Sequence, residues 1–211
     1  MESAILMAAG LGTRMRPLTD NTPKPLIKVA EKPLIETVID GLWQHGVREI
    51  YVVTGYLAEQ FDYLAEKYPG LTLVNNEEYT VKNNISSIHA VCQYMGKTDC
   101  FICEADLYVS DPAIFDIPHD KSCYYGKYVA GHSDDWVFDM DGERIVRVGK
   151  GGDDTYNMVG ISYFKAADAA YIADAILKAY KESGHETLFW DEIVDRCLPK
   201  INLGICPVDA S

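Results

Sequence analysis

The chain is predicted to fold as α/β, doubly wound around a mixed, mostly parallel sheet, with a smaller antiparallel part. Three observations predict this. Short apolar runs at Ser3 to Ala9, Ile50 to Thr54 and Asp99 to Glu104 read as strands covered on both faces. Segments with apolar residues at helical spacing alternate with the first of these strands. Past about residue 120 the pattern turns to strands punctuated by turns.

Taken in order, the first strand ends at Gly10-Leu11-Gly12-Thr13-Arg14. Residues 10–33 then carry four of the nine prolines and no clean periodicity, which predicts a long loop of the kind usually kept for function. Leu34, Val38, Ile39 and Leu42 mark a helix that Gly46 stops. After the second strand comes Gly55-Tyr56, then a helix through Tyr68 with Leu57, Phe61, Leu64 and Ala65 inward. Leu71 to Val74 is a third strand. Asn83-Asn84 and Ser86-Ser87 open a helix to about Tyr94, where they suit both helix capping and ligand contact. The fourth strand, Asp99 to Glu104, runs into Ala105-Asp106.

The second half holds strands at Tyr124 to Val129, Trp136 to Met140, Arg144 to Val148 and Asn157 to Phe164, with Asp141-Gly142 as a hairpin turn. A helix from Ala166 to Lys181 stops at Gly184, a last helix spans about 187–197, and Ile201 to Val208 closes the chain as a strand.

With 211 residues the chain is long enough for one domain with a sizeable core. Its net charge of −13 repels nucleic-acid backbone and anionic lipid, so neither is an expected partner. No run approaches eighteen apolar residues and no leader-like start is visible, so a cytoplasmic protein is expected. The pair Cys100 and Cys103 has zinc or redox spacing but lies on a strand, where residues three apart face opposite sides. Reduced structural thiols are expected for all six cysteines.

The chemistry is expected around the first loop. Gly10 and Gly12 let the backbone approach a ligand closely, and successive N–H groups in such a turn suit a phosphate oxygen. Arg14, Arg16, Lys24 and Lys28 concentrate cations within fifteen residues of an acidic chain. The loop is neither a Walker A motif nor G-x-G-x-x-G, and no acidic residue closes the second strand, which argues against a dinucleotide oxidoreductase. Ligands of open α/β sheets bind beyond the carboxyl ends of strands, so Asp106 shares a rim with this loop. It is a Mg²⁺ ligand or a cap for the turn at Pro112. Trp136 and Trp190 each have carboxylates beside them, Asp134 and Asp135 for one, Asp191 and Glu192 for the other. Each is either core or one wall of a site for an organic cation.

Together, Met7 through Arg14, Pro17-Leu18-Thr19 and Pro23-Lys24-Pro25-Leu26 resemble the opening of the Rossmann-like nucleotidyltransferases of the glycosyltransferase-A-like family. Within it, Lys32 to Glu36, Gly55 to Leu64, Asn83-Asn84, Ser86-Ser87, Trp136 and Trp190-Asp191 resemble the bacterial CTP:phosphocholine cytidylyltransferases. The resemblance covers nearly the whole chain. It implies transfer of CMP from CTP to a small amino-alcohol phosphate, phosphocholine first, with 2-aminoethylphosphonate, phosphoethanolamine, a sugar 1-phosphate and a non-catalytic nucleotide-binding domain as alternatives. It further implies a nucleotide-binding part over about 1–120 and an acceptor-binding part over about 121–211. Lys24, Arg14 and Asp106 would act in catalysis, with Asp106 on Mg²⁺. Ala8, Ala9, Gly10, Leu11, Gly12, Thr13, Arg14, Lys24, Gly55, Tyr56, Asn83, Asn84, Ser86 and Ser87 would hold the nucleotide. Trp136, Trp190 and Asp191 would take the cationic head of the acceptor.

One departure stands out. The family draws a second metal carboxylate from a Glu-x-Asp context near the carboxyl end, and here only Asp209 is nearby, in a different context. The expectation is that the chain is part of a longer polypeptide or a fusion continuing after Ser211.

Overall fold

A computed structural model describes residues 2–208. Strand β1 (Glu2–Met7) leads through the long loop to helix α1 (Leu34–His45). Within that loop lie short turns at Thr13–Met15 and Lys24–Leu26 and a two-stranded ribbon, β2 (Lys28–Val29) with β3 (Lys32–Pro33). The loop is therefore more ordered than its lack of periodicity suggests. There follow β4 (Glu49–Thr54), α2 (Asp62–Lys67), β5 (Leu71–Asn75), α3 (Ile85–Val91) and β6 (Asp99–Glu104). The second half comprises β7 (Ser122–Asp141), β8 (Arg144–Phe164), α4 (Ala166–Ala179), α5 (Trp190–Cys197) and β9 (Leu203–Pro207).

Seven strands form one sheet in the order β5-β4-β1-β6-β8-β7-β9. Strand β1 pairs in parallel with β4 and β6, and only β8 runs against its neighbours. The antiparallel half is not a separate layer. The first residues of β7 and the last of β8 are buried, so they extend the central sheet, and only beyond them do the two strands leave as a ribbon. Its hairpin turn is Gly142-Glu143, one residue later than expected, with Gly142 taking φ 59°.

The helices cover both faces of the sheet, as alternating side chains on the central strands require. Ile5, Cys100 and Ile102 meet α3, α4 and α5 on one side. Ala4, Leu6, Phe101 and Cys103 meet α1 and α2 on the other. Cys100 and Cys103 thus point to opposite faces, and all six cysteines are free and buried. Helix α1 buries Ile35, Val38, Ile39 and Leu42 completely, each contributing about 1.5–3 kcal/mol of transfer free energy. Gly46 ends it at φ 101°, closing the chain back on Leu42. In the next helix Phe61, Leu64 and Tyr68 turn inward, but Ala65 is exposed. A short helix has room for only a narrow apolar stripe, and Tyr68 fills the place expected of Ala65.

Strand order reverses at β1: the chain steps outward to β4 and β5, then returns to place β6 on the other side. The loops leaving β1 and β6 therefore flank a crevice at the switch point, where this class of fold binds ligands.

Candidate active site

Two hydrogen bonds continue the sheet past its strands and fix that crevice. Ala8 N–H donates to Val53 O at 2.8 Å, and Ala105 N–H donates to Met7 O at 3.2 Å. The glycine loop starts there. Gly12 adopts φ 61°, and a Cβ on it would lie 2.9 Å from Thr19 Cγ2. No other residue fits both demands. Thr19 Oγ1 donates to Gly12 O at 2.8 Å, while Tyr56 Oη reaches Thr19 O at 3.0 Å and Asp20 O at 2.8 Å. Tyr56, expected on the nucleotide, here latches the loop. Gly55 lies under the ring of Tyr79, with no room for a Cβ.

Behind this latch Gly10, Gly12, Thr13, Arg14, Lys24 and Asp106 line a cleft of about 250 Å³. Lys24 Nζ lies 2.5 Å from Asp106 Oδ2, with both side chains about one-third exposed. Asp106 does not cap the turn at Pro112; Asp111 does, accepting Ala113 N–H at 3.0 Å. A Cβ on Gly10 would meet nothing within 4 Å, so this residue faces open cleft.

A second cleft, about 190 Å³, adjoins the first through Met7, Gly10 and Glu104. Ala9, Asn76, Lys82, Asn84, Ser86 and Ser87 line it. Asn76 is buried and donates to Ser86 Oγ at 2.9 Å and Ser87 Oγ at 3.3 Å. The asparagine pair does not cap its own helix. Asn84 Oδ1 accepts Trp190 N–H at 2.9 Å, capping α5 instead, and Asn83 Nδ2 donates to Thr187 O at 3.2 Å. These bonds tie the second cleft to α5 and the turn before it. Leu11 is half-buried on the loop and lines neither cleft.

Between the clefts the electrostatics are unbalanced. Burial raises the Glu104 carboxyl to about 8, with Asp106 and Asp191 adding to the effect and Lys24 opposing it. Burial likewise lifts Asp191 to about 7, against a hydrogen bond from Tyr124 Oη at 3.0 Å. Glu104, on the wall that the two clefts share, thus carries a carboxyl that no cation fully offsets, while Asp191 lines neither cleft.

In the second half of the chain the two tryptophans separate. Trp136 lines a third cleft, about 490 Å³, with Arg147, Lys150, Phe189, Glu192 and Asp195. It meets Phe189 edge-on at 5.3 Å. Trp190 is only 3% exposed and packs against Tyr124 and Phe164. It presents no face to a ligand, contrary to expectation. Trp190, Ile193, Val194 and Cys197 form the inward stripe of α5, so helical spacing and not the neighbouring carboxylates decides its place. Asp191 is buried beside it, and Asp134 and Asp135 are exposed, outside the Trp136 cleft.

The profile of the MobA-like NTP transferase domain matches residues 4–122. The chain belongs to that family. This NTP transferase is 56% identical to a 2-aminoethylphosphonate cytidylyltransferase of Lancefieldella rimae, over 99% of its own length and 85% of the relative's. It is 37% identical to a choline-phosphate cytidylyltransferase of Streptococcus pneumoniae, over 90% and 82%. The solved CTP:phosphocholine cytidylyltransferase of Streptococcus pneumoniae superposes with a TM-score of 0.90 at 33% identity, covering 99% of this chain and 90% of that one. The resemblance read from the first loop and the α/β fold are thereby borne out, and the protein is a nucleotidyltransferase. No helix among the described residues is long and apolar enough to cross a membrane.

Several lining residues of this NTP transferase carry no motif. Asn76, Tyr79 and Lys82 sit in an irregular stretch where spacing says nothing, and Lys150 lies on the ribbon far from any pattern. Asp209 lies outside the described residues.

Proposed function

We propose that the protein transfers the CMP group of CTP to 2-aminoethylphosphonate and releases pyrophosphate. The corner between Trp136 and Phe189 carries this reading. A primary ammonium, that of Lys150, already rests 5.8 Å from one ring centroid and 5.0 Å from the other, with Glu192 and Asp195 lining the same cleft. A primary ammonium needs hydrogen-bond acceptors beside the aromatic faces, whereas a quaternary one needs mainly the faces. Withdrawal of Trp190 into the core removes a wall that the quaternary head would use. The 56% identity to the 2-aminoethylphosphonate enzyme supports the same choice, which moves phosphocholine from first place to second. Phosphocholine keeps the support of the 37% identical relative.

In the proposed reaction an oxyanion of the acceptor attacks the α-phosphorus of CTP. The new P–O bond forms as the bond from that phosphorus to the bridging oxygen breaks, and its electron pair leaves with pyrophosphate. The acceptor arrives already deprotonated, so no side chain need take its proton. Positioning and charge neutralisation suffice. The N–H groups from Gly10 to Arg14, with the cations of Arg14 and Lys24, would offset charge on the triphosphate.

Mg²⁺ is bound in such sites by one or two carboxylates together with substrate phosphates. Asp106 fits, since its carboxylate already holds a cation, Lys24, on the phosphate cleft. When bound, the ion would supply further neutralisation of the phosphates.

Pyrophosphate release from CTP with 2-aminoethylphosphonate, phosphoethanolamine, phosphocholine and ethylphosphonate tests the assignment. The expected kcat/KM is highest for 2-aminoethylphosphonate. A higher value for phosphocholine overturns it.

A further inference from the structure

Lys82 is the cation of the second cleft, and its surroundings hold it in place. Its ammonium pairs with Glu78 and sits 4.2 Å from the ring centroid of Tyr180. Tyr180 is itself fixed, donating to Glu78 Oε2 at 2.6 Å and stacking on His89 at 3.6 Å with an interplanar angle of 1°. The Lys82 side chain is 15% exposed, so the charge is largely withdrawn from water at the cleft wall. Of its three protons one faces Glu78 and the aromatic face consumes none, which leaves donors for a ligand.

The other polar groups there are largely committed. Asn76 spends its amide on Ser86 and Ser87, and its oxygen accepts Glu78 N–H at 3.0 Å. Ser86 Oγ donates to Asn83 O at 2.8 Å, and Asn84 Oδ1 is taken by Trp190 N–H. Ser87 can rotate its hydroxyl to donate or accept. Glu104 lies at the boundary with the phosphate cleft. Lys82 differs from all of these in being a charged group that can only donate.

We propose that Lys82 reads the base of the nucleotide, donating to the adjacent O2 and N3 acceptors of cytosine and so selecting CTP over UTP. Uracil carries a proton on N3, and in the same pose that N–H would face a group with no acceptor. The selection rests on the CTP-dependent reaction proposed above, with the cytidine in the cleft beside Ser86 and Ser87.

The test compares kcat/KM for CTP and UTP in the wild type, Lys82→Met and Glu78→Gln, alongside acylation of Lys82 by an amine-reactive ester, read by mass spectrometry with and without CTP. Methionine keeps an apolar stem over Tyr180 and removes the donors. The CTP/UTP ratio should fall about ten- to a hundredfold in Lys82→Met, as expected for loss of a charged hydrogen bond, mainly through the KM for CTP. Glu78→Gln should retain the ratio, and CTP should protect Lys82 from acylation. Protection with an unchanged ratio overturns the selective role and leaves the cytidylyl transfer standing. Neither protection nor a changed ratio moves the base out of this cleft and overturns both placement and role. A rise in the KM of the acceptor alone overturns the proposal as well.

Discussion

Lys24 Nζ and Asp106 Oδ2 lie 2.5 Å apart, so the expected phosphate cation and the expected metal carboxylate neutralise each other. In the proposed reaction the phosphates would compete for Lys24 and a divalent ion would compete for Asp106, so each would have to break this pair. Lys24→Ala should accordingly do two opposite things. Loss of one preorganised cation should lower kcat by about 10²–10³. In the absence of CTP, Mn²⁺ should bind about two- to fivefold more tightly, because a partly exposed ion pair no longer competes for Asp106. Titration calorimetry with Mn²⁺ alone measures the second effect. Weaker metal binding in the variant would show that Asp106 is not the ligand.

The two glycines of the first loop should respond differently to the same change. Gly12→Ala forces a Cβ to φ 61° and to within 2.9 Å of Thr19 Cγ2. A left-handed non-glycine residue costs about 1–2 kcal/mol before the clash is counted, so the melting temperature should fall along with activity. At Gly10 a Cβ meets nothing within 4 Å. Gly10→Ala should melt like the wild type and raise the KM for CTP, since the methyl stands where ligand comes. Melting curves and CTP saturation kinetics separate the cases.

What was legible in the sequence follows from local periodicity. β1, β4 and β6 are buried on both faces, so they read as apolar runs, and Gly46 ends its helix by backbone conformation alone, whereas α4 stops at Ala179 and Gly184 instead opens the turn at His185–Thr187. The first loop was legible because its glycines, Lys24 and Asp106 come together on one cleft at the strand ends. The roles of Tyr56 and Asn84 were not, because both make bonds across the fold, to Thr19 and Asp20 in one case and to Trp190 in the other. Side chains of those types serve a ligand or a distant backbone equally well, and only tertiary placement decides. Joining of the antiparallel half to the main sheet was hidden for a similar reason: pairing of Ile161 with Cys103 joins residues far apart in sequence.

Asp191 makes stability depend on pH with a definite sign. Burial raises its pKa from 3.8 to about 7. The folded protein therefore holds a proton that the unfolded chain releases above its own, lower pKa. The contribution of Asp191 is greatest below about 4, declines as pH rises toward 7 and levels off beyond. Asp191→Asn keeps an acceptor for Tyr124 Oη without the ionisation. Its melting temperature should fall less than that of the wild type between pH 5 and pH 8, a slope from Glu104 remaining. An identical slope in the two proteins would mean that Asp191 is ionised throughout.

The two tryptophans should divide stability from acceptor binding. Trp190 is 3% exposed among Tyr124, Phe164 and the inward face of α5, so Trp190→Ala should cost about 3–5 kcal/mol, the range for emptying a buried aromatic site. Trp136 is partly exposed at the mouth of its cleft and touches Phe189 edge-on. Trp136→Ala should leave the denaturation midpoint close to the wild type while raising the acceptor KM, with the KM for CTP unchanged. Within the acceptor series the loss should be greater for 2-aminoethylphosphonate than for ethylphosphonate, because only the former brings an ammonium to the ring. Equal losses for the two would mean that the indole contributes shape and not cation binding, and would send the ammonium elsewhere in the crevice.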